Sequence, residues 1–160
     1  MAQARGAVGQ APVAIAVSAL GPQVIVVNSG SNDVSLIDAD PNSGTFHQVT
    51  ASANTGSSGQ AVIIAPDGGR AFVGTAGGTI VVIDLLTGAV TATANVGSAA
   101  GSVAISPDGA ILLVLCEDGT IRVVDVAPGS PTQYQVTASA NAGSGAATIV
   151  ISSTASRPTS

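Results

Sequence analysis

Few side chains in this 160-residue chain can do chemistry, and their spacing narrows what they could do. His47, in Thr45-Phe-His-Gln48, is the only histidine. Alone it cannot build a multi-histidine metal site. It could be one member of a nucleophile triad, but no Gly-x-Ser-x-Gly elbow accompanies it. The residue is therefore read as an exposed loop histidine. Cys116, the only cysteine, closes the apolar run Ile111-Leu-Leu-Val-Leu-Cys116. A thiol there packs as a small hydrophobe, because reactive thiolates need an electropositive, accessible setting. Being single, it can form neither an intrachain disulfide nor a thiolate metal cluster.

Oxygen ligands are better represented. Asp38-Ala-Asp40-Pro-Asn42-Ser-Gly44 puts oxygen-bearing side chains at alternate positions, as at the start of a calcium loop. The pattern fails where such a loop is strictest: Ser43 stands where Gly is needed, and Val49 where the bidentate Glu belongs. The matching segment Asp125-Val-Ala-Pro-Gly-Ser130 keeps only its first Asp. Both are read as polar turns whose Asp side chains bond to their own backbone. Glu117-Asp118 reads as a solvated hairpin turn, and Arg70 and Arg122 have no counterparts at matching positions in the other units. These residues assign no catalytic, cofactor-binding or metal-ligating site.

Composition excludes further classes. The four basic residues are all Arg, and without Lys there is no P-loop and no Schiff base. A net charge of −5 repels phosphate backbones and anionic membrane surfaces, and 2% aromatic residues are too few to stack single-stranded bases. Nucleic acid is not an expected partner. The 46% hydrophobic content and mean hydropathy of +0.53 demand a buried core. No run approaches the ~18 apolar residues of a membrane-spanning helix, and Met1 to Gly9 lacks the apolar centre of a signal peptide.

The elements that position these residues repeat. Gln48-Val-Thr-Ala-Ser-Ala-Asn54 recurs as Gln135-Val-Thr-Ala-Ser-Ala-Asn141, with a looser copy at Ala89-Val-Thr-Ala-Thr-Ala-Asn95. Asp38, Asp84 and Asp125 close apolar runs at the same rhythm, and Pro66-Asp67-Gly68 returns as Pro107-Asp108-Gly109. Three landmarks in one order define a repeat protein. Each unit reads as four short strands. Pro-Asp-Gly makes a type I turn between the first two, and Gly77-Gly78 is predicted as a two-residue hairpin turn between the next pair. In the first unit Ser31-Asn32-Asp33 lengthens that turn by one residue. Val81-Val82-Ile83 and Ile111 to Leu115 are continuously apolar, which fits strands covered on both faces. A four-stranded sheet recurring every ~40–45 residues is a propeller blade. The predicted fold is all-β: a partial β-propeller of three four-stranded antiparallel blades. The blades span approximately 10–58, 59–99 and 100–145, with a partial fourth repeat at 146–153 and a disordered tail at 154–160.

The stretch Val24-Ile-Val-Val-Asn-Ser-Gly-Ser-Asn-Asp-Val-Ser-Leu-Ile-Asp38 resembles the YVTN-type β-propeller repeat, as do Ser106-Pro-Asp-Gly109 and Val96-Gly97-Ser98. The likeness runs from about Val8 to Ile151 and departs from that family in lacking its usual second-strand Tyr. It implies six- or seven-bladed rings, often secreted or attached to cell surfaces, with lactonases and quinone-dependent enzymes among related propellers. Fold alone does not choose among these activities.

Three blades fall short of the roughly four to eight of a closed ring. The apolar outer faces of the first and last blades then need cover. A longer propeller would supply missing blades, and self-association of two arcs would close six. A short capped stack is the remaining arrangement. The functional expectation is a non-enzymatic binding or interaction module whose ligand the sequence does not name. The alternative is a fragment of a lactonase-like or quinoprotein-like propeller enzyme whose active residues lie in other blades.

Overall fold

The computed structural model describes residues 9–18, 23–143 and 149. Apart from Ile149, the expected partial fourth repeat and the tail lie outside the described residues. Strands β1 (Pro12–Val17), β2 (Gln23–Asn28), β3 (Asp33–Asp38) and β4 (Val49–Asn54) form the first sheet. The second contains β5 (Gly59–Ile64), β6 (Arg70–Thr75), β7 (Thr79–Asp84) and β8 (Val90–Asn95). The third contains β9 (Ala100–Ile105), β10 (Ile111–Cys116), β11 (Thr120–Asp125) and β12 (Val136–Asn141). Each sheet is an antiparallel meander in chain order. The first strands β1, β5 and β9 pack side by side, so they form the inner wall and β4, β8 and β12 the outer edges.

Alternation along the strands explains why the apolar runs are continuous. In β6 and β7, Ala71, Val73, Val81 and Ile83 turn toward Ile25, Val27, Val34 and Leu36 of the first blade. Their neighbours Phe72, Ile80 and Val82 turn the other way, onto Leu112, Val114, Cys116 and Val124 of the third. The middle blade is thus buried on both faces, and its side chains on both are essentially inaccessible to water. Burying each such side chain stabilises the fold by about 1.5–3 kcal/mol, so blade-on-blade contact is the main cohesive force.

The turns behave as their residues dictate, with one correction. Pro66 and Asp67 occupy the centre of a turn closed by the Gly68 N–H on the Ala65 carbonyl (2.8 Å), and Gly68 takes φ +72°. Gly109 repeats this with φ +74°. The β6–β7 connection, however, is not a two-residue Gly77-Gly78 turn. It has three residues, Ala76 to Gly78, and only Gly78 has positive φ (+85°). Its N–H bonds back to the Thr75 carbonyl at 3.2 Å, the geometry of a type I turn followed by one left-handed residue. Glu117-Asp118-Gly119 does the same, while the first blade uses four residues with Asn32 at φ +56°.

Candidate functional site

The residues singled out by type lie where they serve the fold. Asp38, Asp84 and Asp125 each end a third strand and accept the N–H two residues on, from Asp40, Leu86 and Ala127 (2.8, 2.8 and 3.0 Å). Asp40 accepts the Asn42 N–H in the same way (2.9 Å), so the calcium-like segment spends its oxygens on its own turn. The Ser43 and Thr45 hydroxyls hold the Asp38 carboxyl below the usual carboxylate range, and Ser130 and Thr132 do so for Asp125. His47 is exposed, has φ +69° and stacks on Phe46, with ring centroids 3.5 Å apart. Tyr134 takes the equivalent place in the third blade at φ +66°. There Arg70 reaches across from the second blade, donating to the Val126 carbonyl (2.9 Å) and the Tyr134 hydroxyl (3.2 Å). Cys116 is 1% exposed, and burial pushes its thiol pKa up.

The opposite end of the sheets carries a different feature. In an antiparallel meander the start of the first strand and the end of the second share one end, away from the Asp loops and His47. At that end lies a cleft of about 500 Å³. Among the described residues, the first blade contributes Val13 and Ser29 to its walls and the second Ser58, Gly59 and Gln60. The third blade adds Gly101 with Leu115, Cys116 and Glu117.

Three β-bulges build this cleft. Pro12 pairs with Asn28 but Ala14 with Val27, leaving Val13 as an extra residue. Gln60 is extra between Gly59 and Ala61, and Gly101 between Ala100 and Ser102. A bulge re-aims its residue out of the pleat. The same bulge at the same step of each inner strand brings Val13, Gln60 and Gly101 to one cleft. The fold repeats the backbone device and varies the side chain, from apolar to amide to none. Gly59 is required for another reason: a Cβ there would collide with Val27 Cγ1.

Gln60 and Glu117, both on the cleft wall, differ in how their polar atoms are met. The Gln60 Oε1 is shielded from water and has no hydrogen-bond partner. Glu117 is exposed, its backbone N–H tied to the Ala99 carbonyl (2.8 Å), and the only ion pair among the described residues joins Arg122 to Asp118 instead. Sequence reasoning passed over both residues. Glu117 looked like a turn residue, which it is, and Gln60 sits in a repeat whose other copies carry Val and Gly. The available signal was that mismatch at an otherwise regular position.

No protein-family model matches the chain, and no curated protein matches it. Among solved structures it is similar to a propeller-containing protein, the hydrazine synthase of Kuenenia stuttgartiensis, with a TM-score of 0.69. The two are 23% identical over 81% of this chain and 35% of that one, so the chain spans about a third of its neighbour's length. At that identity the likeness carries the fold and not the activity. What the strand order, the blade packing and this neighbour establish together is an all-β, partial β-propeller.

Proposed function

We propose that the chain is a non-enzymatic binding or protein-interaction module of YVTN-like blades, part of a larger or oligomeric propeller, with the bulge-lined cleft as its ligand-receiving surface. The observation that carries the reading is the convergence of three equivalent bulge residues on one concavity. A regular scaffold that presents variable side chains at a repeated position is suited to recognition. The uncovered side of β1, where Val13, Ile15 and Val17 are 54%, 65% and 66% exposed, supports packing against further blades or a second copy. A fragment of a lactonase-like or quinoprotein-like propeller enzyme, whose active residues lie in other blades, is the second reading.

Two measurements test the proposal. Light scattering after size exclusion, with circular dichroism on the same peak, is expected to give an assembled β-rich species. A stable folded monomer would remove the assembly part of the reading. A lactone and ester panel is expected to show no turnover; saturable turnover abolished by His47→Ala would replace the binding module with an enzyme.

A further inference from the structure

We propose that the chain closes on a second copy of itself through two unlike faces, the outer face of its first blade docking on the outer face of the copy's third. This rests on the reading that the chain is part of an oligomeric propeller, and it names the partner and the residues that meet it. Each junction inside the chain joins two kinds of face. In the middle blade, Val62 and Ile64 of β5 pack toward the first blade, while Phe72 and Val82 pack onto the third and are fully buried. The first kind of face recurs on the first blade. Ile15 and Val17 stand opposite Val26 and Val24 in β2 as Val62 and Ile64 stand opposite Val73 and Ala71 in β6. Their neighbours Ala14 and Ala16 turn toward the middle blade, so Ile15 and Val17 point away from it, 65% and 66% exposed. The second kind recurs on the third blade, where Leu113 pairs with Val123 as Phe72 pairs with Val82. Leu112 and Val124 face the middle blade, which turns Leu113, Val123 and the 43% exposed Ile111 outward.

The three blades therefore carry both halves of one more junction, one on each outer face. Two copies bring those halves together twice, and six blades fall within the roughly four to eight that close a ring. A head-to-tail contact that closes after two copies stops at the dimer, whereas one that does not close runs on as a filament. The detail of the existing junction carries over. Between the second and third blades Arg70 reaches across to Val126 and Tyr134. Ile111 holds the Arg70 position, each opposite the Asp that ends a third strand, and the copy's His47, stacked on Phe46, holds that of Tyr134. An apolar side chain then meets a ring stack where Arg70 meets a tyrosine. Beside β9 the Ile149 N–H donates to the Ser102 hydroxyl on this same outer face (3.1 Å), and the copy's β1 displaces it there.

The test is the mass in solution of the full chain and its variants, by light scattering after size exclusion, with dichroism on the same peak. The unaltered chain is expected to run as a dimer at every concentration used. Ile15→Asp alters one face and Ile111→Asp the other. Each is expected to weaken the dimer at least about a hundredfold, to a folded monomer, because an unpaired carboxylate is buried at both junctions. Leu86→Asp, at a 92% exposed residue of the middle blade, is expected to stay dimeric. Mixing the Ile15→Asp and Ile111→Asp monomers is expected to restore a dimer through one junction, since each keeps the face the other has lost; misfolded chains would not do so. A dimer that survives Ile111→Asp, a mixture that stays monomeric, or species that grow beyond the dimer would overturn the two-face closure and leave an oligomeric module joined in another way. A folded monomer of the unaltered chain would overturn both the closure and the oligomeric reading.

Discussion

Replacing Gly74 with alanine ought to stabilise an ordinary β-strand, because alanine narrows the unfolded ensemble by about 0.4–1 kcal/mol. Here the sign reverses. Gly74 lies in β6 where the second and third blades come closest: a Cβ added to it would stand 2.7 Å from the Ala100 carbonyl oxygen and 2.9 Å from the Ala100 Cβ. The nearer atom is backbone, within β9 and next to Gly101 of the cleft, so relief requires the two blades to part. Overpacking of this kind costs about 1–3 kcal/mol, and after the unfolded-state gain a net destabilisation of about 1–2 kcal/mol remains. For a chain of this length that lowers the melting temperature by about 2–8 °C. The chain has no Trp, so far-UV dichroism in urea is the assay. Gly44→Ala is the control, since a Cβ there meets nothing within 4 Å and its φ is not positive. It should leave stability unchanged or raise it slightly. If Gly74→Ala matched that control, the blades would be free to separate at no cost, and tight packing as the cohesive force would be refuted.

Other outcomes follow from the same contacts. Arg70→Met should lower stability by about 1–2 kcal/mol and Tyr134→Phe by less, with a double variant falling short of the sum because the two side chains share one bond; additive losses in urea would show them to be independent. The hydroxyl-bonded Asp38 and Asp125 have lowered folded pKa values, so their contribution is present above the unfolded value near ~4 and disappears as pH falls through the folded one. Asp38→Asn with Asp125→Asn should therefore flatten the acid limb of a stability–pH curve; Asp108 and Asp118, also lowered, keep part of it. An unchanged slope would mean that these turns are not formed in solution. The Cys116 thiol should react with a disulfide reagent at neutral pH far more slowly than in urea, since burial both shields it and raises its pKa. Rapid labelling without denaturant would place it outside the core.

Much of the architecture was legible because it is written in period and turn chemistry. The Asp landmarks end strands because an Asp carboxylate bonds the N–H two residues ahead whatever surrounds it, a purely local interaction. Pro-Asp-Gly turns and the buried run ending in Cys116 are local in the same sense. The Gly77-Gly78 turn is one residue longer than its sequence predicts because two glycines satisfy several loop lengths, and it is the strand register of β6 against β7 that selects three residues. Gln60 and Glu117 could not be joined from sequence at all. They are 57 positions apart, and neither belongs to a recognisable motif. Gln60 reaches the cleft through a bulge, which exists only once β5 pairs with β6, and Glu117 through the packing of one blade on the next. Arg70 likewise finds Tyr134 only across that boundary. Local bonding and apolar periodicity decide what each blade is, because they act within a few residues of the chain. The angle and closeness at which blades meet decide the cleft, because only packing between distant segments can place a shielded amide and an unpaired carboxylate around the same space.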